Sequence, residues 1–368
     1  MAQIVDRILV SGPPASRPPT HKADESAASR SEDSTKIKAL AGAASAEQAR
    51  TDPFEVEICD AEELRLASQS AELIPENGRV IVKALEQLRE RGLRRRLMPP
   101  PAIGLLSELA SRFPNFAGVV GWIKRRAALS MLEPRGPLVL SPILLVGPPG
   151  CGKTTFARAL GDVLGVPLLQ FQLGHASAPF ALSGLEPQYA TGGPGVLFKR
   201  VALGSVPDPL VLLDEIDKAA LVDPGRSVIG ALYTLLEPAS ARSFVDEGVR
   251  LAVDMSHVRW IGTANSMDVE PALMSRFVVF EVEQPSAEEL ARIAQGTYRD
   301  LIARQGWGAH FDAELDERVA RAFAEMSCRD IERSLRDALG NAALAGRSCI
   351  RTEDIPRARE SRARLGFV

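Results

Sequence analysis

Short apolar runs alternate with helical patterns in the middle of the chain, and this alternation predicts the fold class. Five runs have the length of strands: Ile143–Val146, Leu168–Leu173, Leu210–Leu213, Val258–Gly262 and Val278–Val282. Between them, Lys153–Leu164 and Ser227–Leu236 repeat apolar positions at helical spacing. Buried strands that alternate with helices are typical of a parallel sheet covered by helices. We therefore expect an α/β domain over residues 116–285.

The pattern changes after this region, where no further strand-like run occurs. Ala287–Arg304, Asp312–Met326 and Asp330–Ala345 each repeat apolar positions with a helical period. We expect a small all-helical domain over residues 286–368, which ends in an Arg-rich tail. That tail contains Arg347, Arg351, Arg357, Arg359, Arg362 and Arg364.

The region before the predicted sheet divides into two parts. Residues 1–53 are rich in Ser, Ala, Pro and charge, and such a composition buries too little apolar surface to offset the entropy of ordering, so we expect disorder there. Residues 54–115 predict a small, mostly helical region. Its elements are a short strand at Phe54–Ile58 and helices at Ala61–Ser68, Ile74–Arg96 and Ile103–Phe113. The run Arg94-Arg95-Arg96 has two interpretations, a solvated helix end and a contact with an acidic partner.

Charge and cysteine usage narrow the class of protein. The 368 residues hold 44 Lys+Arg against 47 Asp+Glu, a net charge of −3, which argues against general polyanion binding and leaves room for a local basic patch. No apolar stretch is long enough to span a bilayer, and Met1–Val10 lacks the pattern of a secretory signal. The four cysteines show no paired spacing, so neither a zinc site nor a disulfide framework is expected. These features favour a cytoplasmic protein without a membrane partner.

One motif carries specific chemistry. Residues 147–154 match G-x-x-x-x-G-K-[ST], follow an apolar strand and open a helical pattern. Backbone N–H groups of such a loop surround a β-phosphate, Lys153 bridges the β- and γ-phosphates, and the Thr154 hydroxyl ligates Mg²⁺. We therefore expect ATP and Mg²⁺ as cofactors. The predicted nucleotide-binding residues are Gly147, Pro148, Pro149, Gly150, Cys151, Gly152, Lys153, Thr154 and Thr155.

Cys151 lies inside this loop at the start of a helix, where a thiolate is stabilised. Two interpretations stand: a redox-sensitive residue whose oxidation blocks nucleotide binding, and a position that accepts any small residue.

A second motif supplies carboxylates at a strand end. The run Leu210–Leu213 is followed by Asp214 and Glu215, and ligands bind at this end of parallel sheets. We expect Asp214 to hold Mg²⁺ and Glu215 to polarise the attacking water. The pair of acids favours hydrolysis over nucleotide binding alone, so we predict an ATPase.

The order of these and later motifs resembles the AAA+ ATPases. The later motifs are Trp260–Asn265, Pro271–Phe277 and Ser327–Arg333. Within that family, the chain is most similar to the ATPase module of the Lon proteases. The Lon-like stretches are Asp214–Lys218, Ala231–Pro238, Phe244 with its following acids, and Thr263–Met267. The resemblance covers about Phe116–Ala345 and implies a P-loop NTPase domain followed by a helical lid.

The resemblance implies a role for several polar residues. Asn265 matches the residue that orients the attacking water, called sensor 1. Arg276 matches the arginine finger, which reaches the γ-phosphate of a neighbouring subunit and implies a ring, typically a hexamer. Arg329 matches sensor 2, which reports the nucleotide state from the lid, and Arg333 is the alternative for that role.

Tyr189 lies in the Gly-rich stretch Gln188–Gly195, which matches the pore loop of Lon-like ATPases, where an aromatic residue grips a polypeptide. Its neighbour is Ala190 where the family has a bulky apolar residue, and the alternative is a surface loop with a packing Tyr.

The resemblance implies a protein remodeller that uses Mg-ATP hydrolysis on an unknown protein substrate. We expect no proteolytic activity, because no serine–lysine protease motif follows Arg329. The alternative is a nucleic-acid motor or loader, favoured by the Arg runs and disfavoured by the balanced charge. A non-enzymatic nucleotide switch is disfavoured by the presence of both Glu215 and Arg276.

Overall fold

A computed structural model describes residues 52–74, 78–132, 135–173, 178–189, 191–221 and 228–356. The expectation of disorder falls almost entirely outside these residues, as do Ala190 and the four arginines of the tail beyond residue 356. From Pro53 onward the chain forms one compact unit. Among the described residues, no helix has both the length and the apolar composition needed to cross a bilayer.

Helices and strands alternate along the chain without a fixed pattern. In chain order they are β1 (Glu55–Glu57), α1 (Ala61–Glu72), α2 (Gly78–Arg91), β2 (Arg94–Arg96), α3 (Ile103–Arg112), α4 (Ala117–Ser130), β3 (Ile143–Val146), α5 (Lys153–Leu164), β4 (Leu168–Gln172), α6 (Ala178–Ser183), α7 (Val196–Val201), β5 (Leu210–Asp214), α8 (Val228–Leu235), α9 (Pro238–Ala241), β6 (Phe244–Asp246), β7 (Leu251–Val253), β8 (Arg259–Ala264), α10 (Pro271–Met274), β9 (Val278–Glu281), α11 (Ala287–Gln305), α12 (Glu317–Arg321) and α13 (Cys328–Leu344). Short 3-10 turns join several of them.

The five apolar runs form one parallel sheet in the order β4-β5-β8-β3-β9, which confirms the predicted α/β class. Residues along each strand alternate between the two faces of the sheet. Leu144 and Leu213 belong to the core on one face, which also takes in residues of α1 and α2. Leu145 and Leu212 belong to the core on the other face, beneath α3, α4 and α5. The carboxyl ends of β3, β5 and β8 therefore lie side by side.

The last three helices enclose a separate core, built from residues 290–350. The predicted helix over Asp312–Met326 is wrong, because only α12 is helical in that stretch. Asp316 caps α12 by accepting hydrogen bonds from the N–H groups of Arg318 and Val319. The carbonyl of Asp312 accepts a bond from the Tyr298 hydroxyl at 2.8 Å.

The arginine run at residues 94–96 is also corrected, because it forms strand β2 and not a solvated helix end. Helix α2 stops at Gly92, whose φ of +78° is readily adopted only by glycine. Strand β2 pairs antiparallel with β1, which places Arg94 opposite Glu57 and Arg96 opposite Glu55. Arg95 is buried. Its guanidinium donates to the carbonyl oxygens of Gly92, Ala202 and Gly204.

Candidate active site

A cavity of about 490 Å³ lies at the carboxyl ends of the central strands, between the sheet and helices α11 and α13. Most of the residues that the sequence singles out are found in its wall. They are Pro149, Gly150, Cys151, Gly152, Lys153, Thr154, Thr155, Asp214, Glu215, Asn265 and Arg329.

The loop after β3 owes its shape to glycine. A Cβ added to Gly147 would lie 2.1 Å from the carbonyl oxygen of Val282, so a side chain does not fit there. Gly150 and Gly152 have φ values of +85° and +102°, a region that other residues rarely adopt. Helix α5 starts directly after Gly152, so its unpaired N–H groups and the positive end of its dipole face the cavity. This is a preformed site for an anion such as a phosphate.

Lys153 places a cation above this loop. It is 7% exposed, and its Nζ donates to the carbonyl oxygens of Gly147 at 2.6 Å and Pro148 at 3.0 Å. A third bond at 3.2 Å reaches Oδ1 of Asn265, at the end of β8. The motif lysine and the predicted sensor residue therefore meet, although 112 positions separate them in the sequence.

Asp214 is the hub of a hydrogen-bond network at the end of β5. Its Oδ1 accepts from the hydroxyls of Thr263 at 2.6 Å and Thr154 at 3.3 Å, and its Oδ2 accepts from Nε2 of Gln170 at 2.9 Å. Hydroxyl and carboxylate oxygens are the ligands that Mg²⁺ prefers, so Thr154 and Asp214 fit a magnesium ion. The described residues contain no group of three acidic, His or Cys side chains able to enclose a metal. An ion held by Thr154 and Asp214 would complete its shell with phosphate oxygens and water.

Glu215 follows Asp214 with an unusual backbone. Its φ of +58° lies in the left-handed region, which costs a non-glycine residue about 1 kcal/mol or more. The N–H of Glu215 donates to the Thr263 hydroxyl at 3.1 Å, and its carboxylate pairs with Nζ of Lys218 at 2.8 Å. Glu215 contributes to the cavity wall, whereas Lys218 does not.

The helical lid contributes Arg329, the second residue of α13, to the cavity wall. Arg333, one turn along the same helix, lies outside that wall. The structure therefore favours Arg329 over Arg333 as the lid residue that faces the site.

Arg276 lies outside the cavity wall of its own chain. Its guanidinium sits over the Tyr233 ring at 4.9 Å and donates to the carbonyl of Ala272 at 2.7 Å. A carboxylate oxygen of Glu237 lies 3.8 Å away. Arg276 is therefore not among the residues that surround Lys153 and Asp214 in its own chain.

Tyr189 also lies apart from the cavity. Its side chain is 53% exposed at the tip of the loop between α6 and α7. The loop is closed at its base by two backbone hydrogen bonds between Leu185 and Gly193.

The sequence assigned no role to several residues of the cavity. Thr263 and Gln170 hold Asp214, and a polar residue within the apolar run of β8 is the signal that points to Thr263. Arg112 at the end of α3 forms an ion pair with Asp300 of α11, and Arg304 lies 3.8 Å from the same carboxylate. This pair joins the lid to α3 beside the cavity.

Two cysteines from different parts of the fold also line the cavity, Cys151 from the loop and Cys328 from α13. Burial, with a smaller contribution from Cys151, raises the pKa of the Cys328 thiol to about 11. All four cysteines of the chain are free.

The family comparison agrees with this geometry. The model of the ATPase family associated with various cellular activities (AAA) matches residues 143–284, from the start of β3 to Gln284, three residues after the end of β9. Residues 143–284 form an AAA ATPase domain. This domain holds the phosphate loop, both carboxylates and Asn265, whereas Arg329 lies beyond the matched residues.

Curated proteins similar to this chain include Lon proteases. The chain is 30% identical to the Lon protease of Neorickettsia sennetsu over 208 residues, which are 55% of this chain and 25% of that protein. It is 35% identical over 174 residues to the Lon protease of Chloroflexus aurantiacus, covering 47% and 21% of the two chains. It is 36% identical over 170 residues to the peroxisomal Lon protease homolog 2 of Xenopus laevis, covering 45% and 19%. The matched stretch thus spans about a quarter or less of each relative.

Proposed function

We propose that this chain is a Mg-dependent ATPase that uses ATP hydrolysis to remodel or unfold a protein partner. The observation that carries the ATPase part is the convergence of Lys153, Asp214, Glu215 and Asn265 around one cavity at the N-terminus of α5. The remodelling part rests on the Lon-like sequence and on the exposed Tyr189.

In this proposal the phosphate loop binds the nucleotide. Residues 147–155 wrap the β-phosphate with backbone N–H groups, and Lys153 spans the β- and γ-phosphates. Thr154 and Asp214 hold the magnesium ion, which neutralises charge on the phosphates when bound. Thr263 and Gln170 keep the Asp214 carboxylate in place.

Hydrolysis needs a base and an orienting group near the γ-phosphate. Glu215 draws a proton from the attacking water, and Asn265 orients that water through its amide. Arg329 contributes positive charge from the lid and couples the lid to the nucleotide. Arg276 stabilises the transition state in the site of a neighbouring subunit, which requires a ring, with a hexamer as the expected form.

Shared sites are tested by mixing two inactive variants, Lys153→Ala and Arg276→Ala. In a randomly mixed 1:1 ring, about one quarter of the sites combine an intact lysine with an intact neighbouring arginine, so ATPase activity recovers to that order. The matched control mixes Lys153→Ala with Thr154→Ala, whose defects fall in the same part of each site and cannot complement. Equal recovery in both mixtures, or none in either, contradicts action between subunits.

Remodelling is tested with the unfolded polypeptide β-casein. We expect casein to raise the ATPase rate, and the ratio of stimulated to basal rate to fall towards one in Tyr189→Ala. Phe180→Ala, which removes another exposed aromatic side chain near this loop, is the matched control. A ratio that is the same in Tyr189→Ala and Phe180→Ala contradicts a substrate role for Tyr189.

The partner is trapped by Glu215→Gln, which is expected to bind ATP without turnover and so to hold the partner. The protease activity in the relatives' names is not carried over to this chain, because the similarity covers only about a quarter or less of each relative. Peptide products from casein would contradict a role without proteolysis.

The nucleic-acid alternative loses part of its support. Arg95 is buried against backbone carbonyls, and Arg94 lies 3.6 Å from a carboxylate oxygen of Glu55. Binding to DNA or RNA that falls steeply with salt would restore this alternative.

We also propose residues 54–115 as an N-terminal helical region, 116–285 as the nucleotide-binding domain and 286–368 as the lid and tail. The free state of all four cysteines supports a reducing compartment, and we propose the cytoplasm.

A further inference from the structure

The loop that carries Tyr189 rests on a hairpin made by β6 and β7. The loop runs from Gly184 to Gly195, between α6 and α7. The turn of the hairpin reaches its base, where the N–H of Glu247 donates to the carbonyl of Ser183 at 2.7 Å. A second link between hairpin and loop is made by a buried carboxylate.

That carboxylate belongs to Asp246, the last residue of β6, which is fully buried. Its Oδ2 accepts the N–H of Gly195 at 2.9 Å. Its Oδ1 accepts the N–H groups of Gly248 at 2.9 Å and Val249 at 3.1 Å. One oxygen therefore holds the end of the loop, and the other holds the turn of the hairpin.

Three glycines make this approach sterically feasible. A Cβ on Gly184 would lie 2.5 Å from Oδ1 of Asp246, and one on Gly195 would lie 2.9 Å from Oδ2. A Cβ on Gly248 would lie 2.0 Å from the carbonyl oxygen of Gly193. Loop and hairpin thus pack backbone against backbone around a single carboxylate.

We propose that Asp246 is a positioning residue for the polypeptide-binding loop: its carboxylate fixes the base of residues 184–195 to the hairpin, so that force on Tyr189 passes into the AAA domain. That a polypeptide pulls on Tyr189 rests on the proposed function. The attachment of the loop to the hairpin rests on the hydrogen bonds and the packing alone. A loop held at its base moves as one body with the strands beneath it. A loop released at Gly195 yields when a polypeptide pulls on it.

The ionisation of Asp246 gives this attachment a signature. Burial, with a smaller contribution from Glu247, raises the pKa of the Asp246 carboxyl to about 7. The other charged side chains on the packed segments are Glu186 on the loop and Arg250 on the hairpin. Protonation turns one carboxylate oxygen into a hydroxyl, which accepts an N–H more weakly, and Oδ2 carries one bond where Oδ1 carries two. Protonation as the pH falls through about 7 therefore releases Gly195 first.

The test measures amide hydrogen exchange of peptides covering residues 184–195, expressed as protection relative to the intrinsic rate at each pH. In the wild-type chain, protection is expected to rise between pH 6 and pH 8. In Asp246→Asn, the amide group faces the Gly195 donor with a donor of its own, so protection is expected to be about tenfold lower and independent of pH. Asp254→Asn, which alters a carboxylate that accepts the N–H of Ser256 after β7, is the matched control with wild-type behaviour.

Two further measurements separate the possible failures. Gly248→Ala keeps the carboxylate but pushes the hairpin from the loop, and it is expected to lower loop protection as well. If the wild-type profile is flat and Asp246→Asn protects the loop as well as the wild type does, the positioning role is overturned. If loop protection responds as expected but casein stimulates neither the wild-type chain nor any variant, the attachment stands and the proposed polypeptide substrate is overturned. If both hold, casein stimulation falls in Asp246→Asn in parallel with loop protection.

Discussion

Thr263 donates a 2.6 Å hydrogen bond to the carboxylate of Asp214, which joins two neighbouring strands at the point where the cavity opens. The same hydroxyl accepts the N–H of Glu215 at 3.1 Å. A single side chain thus orients both acids of the site.

Replacing Thr263 by Val keeps the shape of the side chain and removes both bonds. Outer residues of this kind change metal affinity or activity by about 10- to 100-fold, and we expect a loss of ATPase activity of that order with a higher Mg²⁺ requirement. Steady-state ATPase rates over a Mg²⁺ titration measure both. Ser68→Ala, which removes a hydroxyl bonded to a carbonyl within its own helix, is the control. An unchanged Mg²⁺ dependence would show that Thr263 does not orient Asp214.

Lys218 binds the carboxylate of Glu215, the residue that we propose as the base. Its ammonium pairs with Glu215 at 2.8 Å on a half-exposed surface, and this hydrogen bond raises the pKa of Lys218. Exposed ion pairs are weak, so Lys218→Met is expected to raise kcat by at most about fivefold by freeing Glu215. Single-turnover hydrolysis measures the chemical step. A fall of tenfold or more would mean instead that Lys218 holds Glu215 in its working position.

The ion pair between Arg112 and Asp300 joins the lid to α3 beside the cavity. We expect Arg112→Met and Asp300→Asn each to weaken ATP binding, because either change frees the lid. Since the two groups are in contact, the double variant should lose less than the sum of the two, with a coupling of about 0.5 kcal/mol or more. Titration with a fluorescent nucleotide measures the affinities. Arg299 lies on the same helix as Asp300, and Arg299→Met, which breaks an exposed pair with Glu314, is the control. If the losses of affinity in the two single variants simply add in the double variant, Arg112 and Asp300 do not act together.

Thiol reactivity follows from burial. The pKa of Cys59 is raised to about 11, mainly by burial, and that of Cys328 is raised to the same value. Because the thiolate is the reactive form, we expect both to react with iodoacetamide at pH 8 about 100-fold more slowly than an ordinary thiol, and to speed up as the pH rises. Mass spectrometry of peptides follows each cysteine, with the exposed Cys349 as the internal reference. Rapid labelling of Cys328 at pH 8 would contradict this.

The ion pair of Arg259 and Asp208 is buried where β5 and β8 begin. Nη2 of Arg259 lies 2.7 Å from Oδ2 of Asp208, and the two side chains are 4% and 1% exposed, respectively. Burial lowers the pKa of Arg259 and raises that of Asp208, so each charge depends on its partner. Arg259→Met is expected to destabilise the protein by about 3–5 kcal/mol, because it leaves a buried carboxylate unpaired. Urea unfolding measures the loss. Arg321→Met, at an exposed pair with Glu317, should cost about 1 kcal/mol or less.

The sequence predicted the sheet well because most residues of each strand are apolar. Ile143–Val146 agrees with the prediction at both ends, and the other four differ by one or two residues. The hairpin of β6 and β7 was not predicted, since each of its strands is only three residues long. The arginine run at 94–96 was assigned wrongly because its charge was weighed and its pairing with the acids of β1 was not.

In the cavity, too, the sequence predicted what lies in one continuous stretch and missed contacts between distant residues. The phosphate loop and the pair Asp214-Glu215 at the end of β5 are each a continuous stretch of sequence, so both motifs could be recognised. The contacts of Gln170 and Thr263 with Asp214, and of Arg112 with Asp300, join residues far apart in the chain. Such contacts depend on strand order and on where the lid lies, and no local pattern encodes either.

Arg95 has a consequence for how this chain can be divided. Its guanidinium reaches from β2 to the carbonyls that follow α7, so the first strands and helices complete hydrogen bonds that the AAA domain leaves open. A fragment that starts at the α/β region would expose those carbonyls together with the apolar face that α1 and α2 cover. We expect residues 54–97 to be inherited, exchanged and degraded together with the sheet, as part of one cooperative unit.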